Sequence, residues 1–236
     1  VARHACEAAA VNTTPSAGPE LPSDAGPPLE YRRVAPEDME ECARMVSQSW
    51  PLLHKLGREG DATGLSLAYC ELCRAPSFWQ EIAVASGRPV GLLFGSSLQR
   101  RPPEAALRNS FRRIALGERF LRGKYGHAPH PFTLAAKMVQ SRLRADQQAP
   151  KADAQIELVV VAAAHRGHGV GRTLIDRFVR ACAAQGARSL RLLTDPLSDW
   201  SFYKAYGFRY VAEFTDPLNS WLAGRPVASY VYMLDM

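Results

Sequence analysis

The chain has 236 residues, a formal net charge of +6 and 47% apolar residues, enough for one sizeable core and one catalytic domain. No apolar stretch approaches the ~20 residues that a membrane-spanning helix needs, and no signal-type apolar segment is visible near the start. The five cysteines, Cys6, Cys42, Cys70, Cys73 and Cys182, form no disulfide framework, so a reducing, cytoplasmic setting is expected.

Residues 1–29 are rich in Ala, Pro, Ser and Gly with few large apolar side chains, and a flexible tail is expected there. The most informative segment is Gln155 to Thr173, QIELVVVAAAHRGHGVGRT. Ile156 to Val161 reads as a strand because β-branched residues crowd it and a polar, glycine-dense turn follows. From Gly171 onward Leu174, Ile175, Phe178, Val179 and Cys182 recur at helical spacing with Arg172, Asp176, Arg177 and Arg180 between them, and Gly186 supplies the stop. Glycines 167, 169 and 171 let backbone N–H groups converge at a helix N-terminus, where free amides and the helix dipole favour an anion. Arg166 and Arg172 add full charges, and a pyrophosphate fits such a cradle.

Glycine spacing sorts the motifs that use this device. A Walker loop needs a lysine that the segment from Gly167 to Thr173 lacks. A dinucleotide fingerprint needs glycine at 172 or 174, where Arg172 and Leu174 stand, although Asp195 holds a plausible acidic position after the next strand. Downstream, Ser189 to Leu193 reads as another strand closed by Thr194-Asp195-Pro196, and Trp200 to Tyr206 as a short helix ended by Gly207.

Two ordered motifs carry a family resemblance. Arg166-Gly167-His168-Gly169-Val170-Gly171 resembles the R/Q-x-x-G-x-G/A acyl-CoA loop of the GNAT family of N-acetyltransferases, and Phe202-Tyr203-Lys204-Ala205-Tyr206-Gly207-Phe208 resembles the F/L-Y-x-x-x-G-F block that follows it. The resemblance implies an α/β (α+β) GNAT fold over residues 30–236: a mixed, strongly bent sheet flanked by helices and splayed between its fourth and fifth strands. It implies a first strand at Glu30 to Val34, a helix entered at Pro36 with Glu37 and Asp38 in its first turn, and mostly helical structure from Pro51 to Ser77. Glu81 to Ser86 and Val90 to Gly95 then form a hairpin turning at Gly87-Arg88-Pro89. Phe208 to Phe214 and Ser229 to Leu234 close the sheet, joined by a loop from Pro217 to Pro226.

Against the family pattern, residues 98–154 form a long, helical insertion between the third and fourth strands. It holds twelve basic residues, Arg142 and Arg144 among them, against four acidic ones. Such a patch attracts nucleic acid, acidic protein, anionic membrane or the cofactor's phosphates. A solvated face of lid helices that shapes substrate access is the favoured reading, because no aromatic interleaving suggests base stacking, so neither nucleic acid nor membrane is expected as partner. A second departure lies at Thr194 to Trp200, where Asp199 replaces a small apolar residue.

The resemblance further implies acetyl-CoA (CoA) as cofactor and direct acetyl transfer to an amine of a small molecule or peptide. Backbone amides of Val159 and Val161 would hold the pantetheine arm and polarise the thioester carbonyl, and residues Arg166, Gly167, His168, Gly169, Val170, Gly171, Arg172 and Thr173 would bind the phosphates. Tyr203 matches the general acid on sulfur; a phenol of pKa about 10 is protonated at neutral pH and can serve a thiolate whose acid has a pKa near 8.5. Glu157, an acid in an apolar strand, stands where relatives carry a general base; an exposed face of the strand or a substrate contact are the other readings. His165 and His168 flank the loop and are expected as surface imidazoles, and a zinc site from His127, His130, Cys70 and Cys73 is rejected because one C-x-x-C lacks its second half. No metal is expected. A homodimer stays open, as do two rivals to the enzyme: a GNAT-shaped acyl-CoA sensor without turnover and a nicotinamide enzyme.

Overall fold

The computed structural model describes residues 28–50, 52, 59–98, 111, 114–126, 130–196, 198 and 200–236. Nearly all of the 1–29 tail, part of the 51–77 segment, and Asp199 therefore lie outside the described residues.

Strand β1 (Leu29–Arg33) is followed by a 3-10 turn (Pro36–Asp38) and helix α1 (Met39–Ser49). The proline opens the turn, and Asp38 folds back so that its carboxylate accepts from the Ala35 N–H at 2.7 Å and from Arg32 at 2.7 and 2.8 Å. Helix α2 (Glu59–Arg74) leads to β2 (Trp79–Ala85) and β3 (Arg88–Ser97). Their turn lies one residue earlier than expected, at Ser86 and Gly87, with φ 49° and 77°, the pair of positive angles that matches the twist of a hairpin. Between β3 and β4 (Ala154–Val161) sits the expected insertion, helical over residues 114–121 and again in α3 (Pro131–Gln148). A 3-10 turn (Ala163–His165), α4 (Val170–Ala183), β5 (Ser189–Thr194), α5 (Ser201–Tyr206), β6 (Arg209–Thr215), α6 (Pro217–Ala223) and β7 (Ala228–Asp235) complete the order.

The 217–226 loop is thus corrected to a helix plus a short connection. Asp216 caps it by accepting from the Asn219 N–H at 2.8 Å, Pro217 follows at the first position, and Gly224 ends it in the left-handed region at φ 67°.

The seven strands run in the order β1-β2-β3-β4-β5-β7-β6, and every neighbouring pair is antiparallel except β4–β5. That parallel pair has only three register partners, ending at Ile156↔Leu192, after which the two strands part. The mixed, splayed sheet expected of a GNAT fold is what the chain adopts.

One sheet face is covered by α4, whose buried Val170, Leu174, Ile175, Phe178 and Cys182 pack on Ala83, Leu93, Ile156 and Leu190. The stripe follows the spacing read from the sequence, save that Val170 joins it and Val179 is only half-buried. The other face holds α1 and α2 over Ile82, Val84, Leu92 and Phe94, with Cys42, Cys70 and Cys73 inside that cluster. Burial pushes the Cys42 thiol up to about 12, so these cysteines are apolar filling. Helix α3 is more than a solvated lid: Ala145 and Ala149 pack on Phe214 and Val231, and Leu134 joins Leu218 and Leu222. Among the described residues no helix is long and apolar enough to cross a membrane, and no cluster of His, Cys, Asp and Glu could hold a metal ion.

Candidate active site

The glycine loop stands at the junction of β4 and α4. Gly167 and Gly169 both sit at φ 79°, and a Cβ built on either would meet nothing within 4 Å. Backbone conformation, rather than space, therefore demands glycine at these two positions. Gly169 is the last residue before α4, and its carbonyl accepts from the Thr173 N–H at 2.9 Å, which leaves the N–H groups of the first helical turn, from Val170 on, without partners inside the helix. Arg166, Gly167, His168, Gly169 and Arg172 are exposed around this mouth while Val170 is buried beneath it. Amides without intrahelical partners at an exposed helix N-terminus are the groups that can receive a pyrophosphate.

Arg166 is less free than its sequence position implied. Its Nε donates to the Val161 carbonyl at 3.1 Å and its terminal nitrogen to the Ser49 hydroxyl at 3.0 Å, tying the loop to the end of β4 and to α1. Arg172 lies over the Tyr206 ring, 5.3 Å from its centroid. Tyr206 donates to Asp176 at 2.6 Å, and burial together with that carboxylate holds its phenol above the ordinary range. His168 Nδ1 lies 2.9 Å from the Arg166 carbonyl, and His165 keeps a buried Nδ1 with no partner among the described residues.

Strand alternation sets the rest. The Ala162 N–H donates to the Val90 carbonyl at 2.9 Å, toward β3, so the peptide groups of Val161 and Val159 turn the opposite way, into the gap left by β5. Gly171 bridges the two motifs: a Cβ there would lie 3.4 Å from a Val161 methyl and 3.4 Å from the Phe202 ring. That contact seats α5 beside the loop. Tyr203, half-buried, packs edge-on against Phe202 and Phe208 at centroid distances of 5.4 and 6.1 Å and lies 6.3 Å from Tyr232. The loop, the divergent end of β4 and the Tyr203 helix are therefore neighbours although some thirty residues separate them in the chain.

Glu157 occupies a β-bulge, since the register passes from Phe94↔Leu158 to Gly95↔Ile156 and leaves it without a partner on β3. Its side chain is 3% exposed and its carboxylate is fully engaged. Ser96 donates at 2.6 Å, Gln155 at 3.0 Å, and Arg142 from α3 at 2.8 and 3.4 Å. The network closes through Asp146, which pairs with Arg142 at 3.6 Å and with Arg191 at 2.7 Å, while Arg191 Nε donates to Gln155 at 2.6 Å. Burial alone would pull the Arg142 guanidinium down, but the Glu157 charge and hydrogen bond outweigh it and hold the group above its ordinary value. The exposed-face reading of Glu157 is thereby corrected. Arg142, Arg191, Gln155 and Ser96 escaped the sequence reading; the one available signal was Gln155 and Glu157 two apart in an apolar strand, a spacing that puts both on one sheet face.

Asp195, the acid a dinucleotide site would use, is buried and accepts from the Ser198 N–H at 3.1 Å, shaping the turn after β5.

Residues 136–210 match the family model described as Acetyltransferase (GNAT) domain. No curated protein matches the chain in sequence. Among solved structures, a GNAT-family protein from Desulfovibrio desulfuricans is 15% identical with a TM-score of 0.51, the match covering 88% of this chain and 99% of that one. The smu.2055 protein of Streptococcus mutans UA159 is 15% identical with a TM-score of 0.52, covering 87% and 98%. A GCN5-related N-acetyltransferase from Rhodopseudomonas palustris is 17% identical with a TM-score of 0.50, covering 90% and 97%. At these identities the likeness is one of fold, which runs through most of the molecule, while the sequence match runs from α3 through the loop to β6. The chain has the GNAT fold, and its stretch from α3 to β6 is similar to the GNAT acetyltransferase domain.

Proposed function

We propose that the protein is an acetyltransferase that moves an acetyl group from acetyl-CoA directly to an amine of a small molecule or peptide. The observation that carries this reading is the open loop from Arg166 to Gly171, held by two left-handed glycines at the start of α4 and opening beside the gap between β4 and β5. Acetyl-CoA supplies an activated acetyl thioester. The amides of the loop and first helical turn, from Gly167 to Thr173, receive its pyrophosphate, with the Arg172 charge close by. The Val159 and Val161 peptide groups, turned into the gap, hold the pantetheine arm and offer N–H donors to the thioester carbonyl. Tyr203 donates its phenolic proton to the departing sulfur.

Glu157 is assigned a supporting part in this scheme. A carboxylate whose two oxygens already accept from Ser96, Gln155 and Arg142 is occupied by the protein, so it anchors α3 to the reacting strand and the amine loses its proton to solvent. The same engagement of Glu157 favours a second reading, an acyl-CoA sensor without turnover. Calorimetric titration with acetyl-CoA, CoA and NAD, followed by CoA release across a panel of small and peptide amines, separates them. Acetyl-CoA binding with amine-dependent CoA release supports the enzyme; binding with no release from any amine supports the sensor; NAD binding alone overturns both.

A further inference from the structure

The outer surface of the insertion carries a feature the catalytic scheme leaves unused. On α3, Phe132, Ala136, Val139 and Leu143 are exposed, the three large ones at 74%, 59% and 55%. Their spacing of four, three and four residues puts all four on one narrow stripe of the helix, the spacing of a two-helix seam. The opposite side of α3 is occupied: Leu134, Ser141, Arg142, Ala145 and Ala149 face the protein through the clusters and bonds described above. The stretch 114–121 packs beside α3 through Phe120, Leu134 and Met138, and its own outward Ile114 and Leu121 are 68% and 48% exposed. The α3 stripe by itself shows solvent roughly 300 Å² of apolar surface, at about 150–200 Å² per full side chain. That is the size at which the largest apolar patch of a monomer is often functional.

We infer that this surface is the contact between two copies of the chain, related by a two-fold axis that passes between Ala136 and Val139. An isologous contact needs a patch that complements itself, and an antiparallel pair of α3 helices seats Phe132 of each copy against Leu143 of the other with the small Ala136 at the point of closest approach. Charge permits it even though the insertion is basic. The stripe is flanked on one side by Thr133, Gln140 and Gln147, seven apart and uncharged, and on the other by Ala135 and by Asp146, which is already paired with Arg191. Lys137 and Arg144 lie further round the helix, beyond the glutamine line. A membrane-surface helix would instead set its cations directly beside the apolar stripe. Two such stripes with their polar rims give roughly 1,000 Å² in total, the low end of a specific interface, for which a dissociation constant in the micromolar range is expected.

Sedimentation velocity of the full chain across 1 to 200 µM tests the inference, with Val139→Glu and Leu143→Glu as variants whose exposed positions leave the core intact. A concentration-dependent dimer that either variant weakens at least tenfold, with circular dichroism unchanged, supports the contact. A second measurement needs no disruptive change: Ala136→Cys should link to its own copy through a short bismaleimide, and Arg144→Cys should not. A monomer at every concentration overturns it, as does a dimer that survives both glutamates. Monomeric protein that floats with phosphatidylcholine–phosphatidylserine vesicles overturns it too, in favour of a lipid surface.

Discussion

Arg142→Met removes the guanidinium that reaches from the insertion to the bulge in β4. The 3% exposed Glu157 carboxylate would then keep only Ser96 and Gln155 as donors. Removing one partner of a fully buried pair costs about 3–5 kcal/mol, because the survivor's charge is left without compensation. Arg142 is itself 35% exposed, so water recovers part of that loss, and about 2–3 kcal/mol is the expected cost. For a chain of this length that lowers the melting temperature by roughly 4–12 °C. Glu157→Gln should cost a comparable amount, since Arg142 then lacks its strongest acceptor, yet the double variant should be markedly more stable than the sum of the two losses predicts. Urea unfolding of the four proteins measures the coupling, for which about 1 kcal/mol or more is expected. Strict additivity would refute the reasoning, and α3 would then be held by Ala145, Ala149 and Leu134 alone.

Three further expectations follow from single contacts. Tyr203→Phe should lower kcat by about 10²–10⁴ while acetyl-CoA affinity measured by calorimetry stays the same; unchanged turnover would remove Tyr203 from the acid role. Gly95→Ala should destabilise by about 1–3 kcal/mol, because a Cβ there would lie 2.3 Å from the buried Phe178 ring, and adding Phe178→Leu should restore part of the loss; a neutral Gly95→Ala in thermal unfolding would mean that the helix stands off the sheet. The Arg32 hydrogen bond, followed by that of the Ala35 N–H, holds the Asp38 carboxyl below its ordinary value against the opposing effect of burial. A lowered folded value makes this contribution complete above the unfolded pKa of about 3.9 and lost as pH falls through the folded one, so the stability gap between the parent and Asp38→Asn should be full at neutral pH and close below pH ~4. A gap that did not shrink as the pH fell below ~4 would locate the effect in packing instead.

The parts of the site that were legible in the sequence are those that local chemistry dictates. Gly167 and Gly169 announce a turn because only glycine takes those angles cheaply, and the stripe from Leu174 to Cys182 announces a helix because burial on one side repeats every 3.6 residues. The helix at Pro217–Ala223 went unread although its signals were present: Asp216 as cap, Pro217 at the first position and Gly224 after the last. There the aromatic strands on either side made a plain connection the simpler reading.

What the sequence determined by itself is the order of strand, glycine loop and helix, and the pairing of that loop with the Tyr203 block, since each is written in neighbouring residues. What only the tertiary structure decided is which distant side chains meet. Glu157 reads as an acid with no visible partner until Arg142, fifteen residues back on a helix, and Ser96, sixty-one back on β3, close around it. Arg166 reads only as a charge beside the loop until the fold shows two of its donors tying that loop to Ser49 and the Val161 carbonyl. In both cases the charge is visible in the sequence and its partner is not. A buried charge takes whatever donor or acceptor the folded chain brings within about 3 Å, and sequence spacing carries no record of that choice.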